Sequence, residues 1–182
     1  MNFLSKKNFI ILLGLGLLIQ PLTGLAVSQD DFEGQLPNAV LLEEGLVGGG
    51  VPTEQALELA AEKGYKTVID VRTPEEGTAA EKALAEKHGL HYVNIPTSTE
   101  TMSRAQADQL NTVLSSVDAK PAILHCMTGN RAAGVWAAYR KFSRGADSDQ
   151  ILAEASGKGL NKPALKEKLT ELFAGAQEPP SR

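Results

Sequence analysis

Along most of this chain, short apolar segments alternate with segments in which apolar residues recur at the spacing of one helix face. This alternation restricts the possible folds of the chain more than any other feature. The clearest apolar segments are Thr67–Val71, His91–Ile95 and Ala122–His125, with a weaker one over Leu41–Val47. Strands that alternate with helices build a mostly parallel sheet covered by helices on both faces. We therefore predict a three-layer α/β fold, in which ligands bind beyond the carboxyl ends of the strands.

The two ends of the chain differ from this alternating part. Lys6 and Lys7 precede the apolar run Phe9–Ile19, and small residues follow around Ala26, an order typical of a secretory signal. The run is shorter than the roughly 20 residues of a membrane span. We therefore predict a signal peptide over residues 1–26 and export, with the bacterial periplasm as the expected compartment and an uncleaved membrane anchor as the alternative. We further predict a linker over 27–40, one domain over 41–173 and a disordered tail over 174–182.

Charge and size limit the partners of the protein. The chain has 182 residues and a net charge of −4, and no segment forms a basic face. Nucleic acid is therefore excluded as a partner. We expect a monomer with no stable membrane span after removal of the signal peptide.

The only cysteine of the chain lies in the segment His-Cys-Met-Thr-Gly-Asn-Arg, residues 125–131. The segment follows a predicted strand and precedes a predicted helix over 132–144. Loop amides and the helix dipole at such a junction attract anions and favour the thiolate, which is the nucleophilic form of cysteine. We therefore predict that Cys126 is a nucleophile and that Arg131 binds an anionic substrate through two N–H groups. The alternative for Cys126 is a buried, inert residue.

Other residues near this loop are assigned supporting roles. Gly129 permits a backbone conformation that a side chain would block. His125, the last residue of a buried strand, is expected to support the loop by hydrogen bonds. Arg72 ends a neighbouring strand and either binds substrate or pairs with a carboxylate such as Asp70 or Glu75. The residues predicted to line the anion site are Met127, Thr128, Gly129, Asn130, Arg131 and Arg72.

The loop resembles the signature of cysteine-dependent protein tyrosine and dual-specificity phosphatases, because His125 and Cys126 precede Gly129 and an arginine. Over residues 41–173 the chain resembles the phosphatase-like domain of bacterial beta-lactamase-hydrolase-like proteins more closely. The segments that carry this resemblance are Gly50–Thr53, Thr67–Arg72 and His125–Arg131. The resemblance implies a tyrosine/dual-specificity phosphatase-like fold and hydrolysis of phosphomonoesters through a phosphocysteine. It implies no metal and no organic cofactor, and some members of that group are sulfur transferases.

The chain departs from the phosphatase pattern in three places. Four residues separate Cys126 from Arg131, where phosphatases have five and rhodanese-type sulfurtransferases have four. Ala132 stands where a hydroxyl residue is common. No aspartate lies between residues 96 and 103, where a general acid is usual, and Glu100 is the only carboxylate there. Three functions stay open: a hydrolase with Glu100 as a possible general acid, a sulfurtransferase that forms a persulfide on Cys126, and a non-catalytic anion-binding module.

Overall fold

A five-stranded sheet with strand order β1-β2-β5-β3-β4 forms the centre of the molecule. The computed structural model describes residues 28–175. Strands β2, β5, β3 and β4 are parallel, and only β1 runs antiparallel, beside β2. The strands are β1 (Val40–Glu43), β2 (Leu46–Gly49), β3 (Thr67–Asp70), β4 (His91–Asn94) and β5 (Ala122–His125). The helices are α1 (Glu54–Glu62), α2 (Thr78–Lys87), α3 (Arg104–Leu114), α4 (Asn130–Arg144), α5 (Ser148–Gly157) and α6 (Pro163–Gly175).

Different helices cover the two faces of the sheet. Neighbouring residues of a strand point to opposite faces, so Ile69 and Leu124 pack in the core beneath α3 to α6. Val68 and Ile123 pack in the second core, beneath α1 and α2. Both faces of the central strands are therefore buried, which explains why these strands are continuously apolar in sequence. The predicted three-layer, mostly parallel α/β fold is confirmed.

The predicted strand over Leu41–Val47 is two strands joined by a tight turn. Gly45 has a φ of +74° in this turn, a conformation that favours glycine. The chain therefore reverses within the predicted strand, and β1 becomes the antiparallel edge of the sheet.

The described part of the predicted linker belongs to the domain, which corrects the linker prediction. Gln29–Phe32 forms a 3₁₀ helix, and the side chains of Phe32 and Leu36 are buried in the core beneath α1 and α2. The Phe32 ring meets the Tyr65 ring edge-on, with centroids 5.2 Å apart. Burial of each of these large side chains contributes about 1.5–3 kcal/mol to docking the segment. An ion pair of 2.7 Å between Asp31 and Lys63 adds to it.

The predicted signal peptide, residues 1–26, lies outside the described residues, as do residues 176–182 of the predicted tail. Helix α6 continues through Gly175 and so includes the first two residues of that predicted tail. Within residues 28–175, no helix combines the length and the apolar character that crossing a membrane requires.

Candidate active site

The cysteine loop lies at the carboxyl end of β5, the middle strand of the sheet, and leads directly into α4. Gly129 precedes the first residue of α4 and has a φ of +91°, so any side chain at this position would be strained. The backbone N–H of Cys126 donates to the carbonyl of Gly49 at 3.2 Å. The predicted arrangement of strand, glycine-containing loop and helix start is therefore present, and it directs backbone N–H groups and the helix dipole at the loop.

Two segments before α1 hold the loop from outside. Gly50 forms an isolated antiparallel bridge with Thr128. A Cβ atom on Gly50 would lie 3.0 Å from the carbonyl oxygen of Met127, so a residue without a side chain is needed for this approach. Asn38, in the predicted linker, donates its side-chain N–H to the carbonyl of Thr128 at 3.2 Å. The segment predicted as a linker therefore supports the site.

The loop forms one wall of a cavity of about 300 Å³. The structure brings five of the residues predicted for the loop into this cavity, together with Glu100. Cys126 is only 1% exposed, whereas Met127 is 48% exposed at the rim. The lining residues are Glu76, Ser98, Thr99, Glu100, Cys126, Met127, Thr128, Asn130, Arg131, Lys162 and Leu165.

Arg131 is held by a carboxylate that the sequence analysis did not identify. Its Nη1 and Nη2 donate to the two carboxylate oxygens of Glu76 at 2.8 and 2.6 Å, and Nη1 also donates to the carbonyl of Thr97 at 2.8 Å. These bonds use three of the five guanidinium N–H groups. Among residues 28–175, no acceptor oxygen meets the Nε–H or the second Nη2 hydrogen. These two groups form one fork, which is free to bind an anion.

The Glu76–Arg131 pair is ionised. The hydrogen bonds from Arg131 lower the pKa of Glu76 to about 2, with a further contribution from the backbone N–H of Thr73. The same bonds, together with the nearby Cys126, raise the pKa of Arg131. Arg131 therefore carries a fixed positive charge beside the cysteine.

Arg72 does not line the cavity, which corrects its predicted place in the anion site. It is 4% exposed, and it donates through Nε and Nη2 to Asp70 at distances from 2.7 to 3.0 Å and through Nη2 to Glu81. Burial raises the pKa of Asp70, but the hydrogen bonds from Arg72 and Tyr92 and the nearby His125 together outweigh this effect and hold the pKa below its usual range. The alternative reading of Arg72, an ion pair with a neighbour, is the one found, with Glu81 in addition to Asp70.

His125 is fully buried behind the cysteine loop and belongs to the same network. Its Nε2 lies 2.6 Å from a carboxylate oxygen of Glu81, but neither ring nitrogen makes a hydrogen bond to any of residues 28–175. The predicted support of the loop by hydrogen bonds from His125 is therefore not found. Ligand atoms of Asp70, Glu81 and His125 lie within 4.8 Å of one another, close enough to hold a metal ion. Arg72 already donates to both carboxylates and supplies the positive charge at this point, so these residues fit a buried ion-pair network instead.

Glu100 lies at the cavity but is fully exposed. Its Oε2 accepts a hydrogen bond of 2.7 Å from the hydroxyl of Ser98. This bond lowers the pKa of Glu100. The ionised form is therefore favoured, which is unfavourable for the predicted role as a general acid.

The cavity contains two charged residues that were not predicted from the sequence, Glu76 and Lys162. Glu76 follows β3 within a 3₁₀ helix, and the rule that ligands bind beyond strand ends could have found it. Lys162 precedes α6, and its backbone N–H donates to Asn130 Oδ1 at 3.4 Å. Asn130 also donates its side-chain amide to Asn161, so the α5–α6 loop is fastened to the start of α4. Nothing in the local sequence signals this contact.

Comparisons with known proteins agree with the fold. Residues 26–171 match the family model described as DSP-PTPase phosphatase fused to NAD+ kinase, and the chain belongs to this family. The predicted place in the protein tyrosine/dual-specificity phosphatase-like superfamily is thereby confirmed. The narrower resemblance to beta-lactamase-hydrolase-like proteins stays a prediction. No curated protein sequence matches the chain significantly.

Solved structures share the fold at low sequence identity. A candidate phosphatase of the DUF442 group from Shewanella putrefaciens superposes with a TM-score of 0.65 and 20% identity, covering 81% of this chain and 98% of that one. TpbA from P. aeruginosa, in complex with phosphotyrosine, gives 0.64 and 19% identity, covering 87% and 93%. Tk-PTP in its active form gives 0.63 and 25% identity, covering 76% and 97%. The chain therefore spans nearly the full length of each of these proteins.

Proposed function

We propose that this protein is a cysteine-dependent phosphatase that hydrolyses phosphomonoesters through a phosphocysteine on Cys126. The observation that carries the proposal is the free Nε–Nη2 fork of Arg131, a residue that lines the same cavity as Cys126, Met127, Thr128 and Asn130. A phosphoryl group has three oxygens that need such donors while it is transferred. The phosphatase family to which the chain belongs supports this choice.

The reaction would occur in two steps at the cysteine loop. The Cys126 thiolate attacks phosphorus, the S–P bond forms, and the bond to the ester oxygen breaks with its electron pair on the leaving oxygen. The loop amides and Arg131 stabilise the equatorial oxygens during this transfer. Water then attacks the phosphocysteine, which releases phosphate and regenerates the thiolate.

Sulfur transfer is the second candidate, and the short loop is the observation that favours it. Four residues lie between Cys126 and Arg131, as in rhodanese-type sulfurtransferases. Cys126 would take the outer sulfur of thiosulfate as a persulfide, with sulfite as the leaving group, and pass that sulfur to an acceptor thiol. This route needs no general acid.

The test compares wild-type protein with Cys126→Ser and Arg131→Ala on p-nitrophenyl phosphate, and separately on thiosulfate with a thiol acceptor. We expect phosphate release by the wild type only, and a phosphoryl adduct on Cys126 after acid quenching. Circular dichroism of both variants serves as the control for folding. Phosphate release that survives Cys126→Ser would overturn the proposal. Sulfite production without phosphate release would replace it with sulfur transfer, and anion binding without either reaction would favour the non-catalytic module.

A further inference from the structure

The cavity offers little to protonate a leaving oxygen. When Cys126 displaces the ester oxygen, an aliphatic alkoxide, whose basicity is close to that of hydroxide with a conjugate-acid pKa of about 15.7, needs a proton in the transition state. A phenolic oxygen, with a pKa of about 10, can depart as an anion more easily. Among the described residues that line the cavity, the only carboxyl groups are Glu76 and Glu100, and none of these residues is a histidine.

The Glu76 carboxylate already accepts hydrogen bonds from Arg131 and Thr73, which makes it a poor proton donor. Both of its carboxylate oxygens accept hydrogen bonds from Arg131, and Oε2 also accepts from the backbone N–H of Thr73 at 2.9 Å. A proton on this carboxyl group would remove the negative charge that pairs with Arg131. It would therefore weaken the hydrogen bonds that hold the guanidinium in place. The same hydrogen bonds lower the pKa of Glu76 to about 2, so its ionised form is strongly favoured at neutral pH.

Glu100 is present at the rim as a carboxylate and not as an acid. It is fully exposed to solvent and accepts a hydrogen bond from Ser98 at 2.7 Å. Neither the burial nor the like-charge contact that raises the pKa of catalytic acids acts on it. Lys162 also lines the cavity and could donate a proton from its ammonium group, but it is exposed as well.

We propose that this protein acts on phosphoryl compounds whose leaving group is weakly basic, namely a phenolic oxygen or a phosphate oxygen, and discriminates against phosphate esters of aliphatic alcohols. The inference rests on the proposed phosphatase function and deepens it. In the first step the S–P bond forms and the P–O bond breaks. The electron pair stays on the leaving phenolate or phosphate, which takes a proton from bulk water after it departs.

The test is a series of substituted phenyl phosphates whose phenols span a pKa from about 7 to 10, together with phosphoserine and inorganic pyrophosphate. Release of inorganic phosphate gives kcat/KM for each, and this quantity reports the first chemical step. General acid catalysis is worth about 10² to 10⁴-fold, so we expect a loss of at least about 100-fold from phenyl phosphate to phosphoserine. We also expect a fall of at least about tenfold across the phenol series. The pyrophosphate arm identifies which of the two weakly basic leaving groups is preferred.

Three variants test for a hidden acid, namely Glu100→Gln, Lys162→Met and Lys166→Met, the last of which lies outside the residues that line the cavity. We expect all three to keep the wild-type dependence on leaving-group pKa. A steeper dependence in Glu100→Gln or Lys162→Met alone would identify that residue as the acid and overturn the inference. Wild-type activity on phosphoserine within about tenfold of that on phenyl phosphate would also overturn it, while the phosphatase proposal would stand. Absence of phosphate release from every substrate, or release by Cys126→Ser, would overturn the phosphatase proposal and this inference with it.

Discussion

Arg72 and Arg131 follow neighbouring strands of the same sheet, and each is bound by carboxylates, yet only Arg131 keeps a pair of N–H groups without a protein acceptor among residues 28–175. Arg72 is 4% exposed, and four of its five N–H groups meet protein acceptors, including the carbonyl of Glu76. Arg131 is half-buried, and three of its five N–H groups meet protein acceptors. The number of donors left unused, and not the residue type or its place at a strand end, separates the structural Arg72 from Arg131, the proposed anion ligand.

Glu76 connects the two arginines. Its carbonyl accepts from Arg72 at 3.2 Å, and its carboxylate accepts from Arg131. The buried network around Arg72 therefore helps to fix the segment that orients Arg131. Each arginine can be tested separately, because one should govern stability and the other reactivity.

The largest effect is expected from Arg72→Met. The substitution leaves the buried carboxylates of Asp70 and Glu81 without their cation, which should lower the free energy of unfolding by about 3–5 kcal/mol. Urea denaturation followed by circular dichroism measures this loss. Arg104→Met is the control, because Arg104 pairs with Asp108 at the surface and should cost about 1 kcal/mol or less. Equal losses in the two variants would show that the buried network does not stabilise the fold.

Arg131→Lys should act on reactivity instead. Lysine keeps the positive charge but cannot present two parallel N–H groups to the phosphoryl oxygens, so kcat/KM should fall about 10² to 10³-fold. The inhibition constant of inorganic phosphate should rise in the same variant. We expect the free energy of unfolding to change by less than about 1 kcal/mol, because the ammonium group of the introduced lysine can still contact Glu76. Unchanged kcat/KM in a folded Arg131→Lys variant would remove Arg131 from the anion site.

The smallest effect is expected from Glu76→Gln, and it depends on pH. Hydrogen bonds from Arg131 lower the pKa of Glu76 in the folded protein from 4.5 to about 2, so the ionised pair stabilises the fold at pH values above about 4.5. This stabilisation is lost as the pH falls towards 2. Wild type should therefore exceed Glu76→Gln by about 1 kcal/mol at pH 7 and approach it near pH 2. Glu75→Gln is the control for charge, and a difference between wild type and Glu76→Gln that does not change with pH would contradict the ion-pair assignment.

Local sequence patterns predicted most of the elements and the centre of the site. The strands Thr67–Asp70, His91–Asn94 and Ala122–His125 lie within the predicted segments. Thr67–Asp70 and Ala122–His125 are buried throughout, which explains their continuous apolar sequence, whereas His91–Asn94 is a partly exposed edge strand. The hairpin at Gly45 was missed because its two short strands read as one apolar segment. The packing of Phe32 was missed because isolated apolar residues in a polar segment give no periodic signal.

The local sequence was sufficient to place a cysteine and an arginine in a loop between a buried strand and a helix, since Cys126, Gly129 and Arg131 are near neighbours in the chain. The charges that surround them depend instead on the tertiary fold. Glu76 reaches Arg131 across 55 positions of the chain, and Lys162 reaches the loop through Asn130 across 32. Long-range contacts of this kind depend on how β3, β5 and the α5–α6 loop meet at one edge of the sheet. Electrostatic effects act between such groups over distances in space, so the number of free donors on Arg131 and the ionised state of Glu76 follow from the fold.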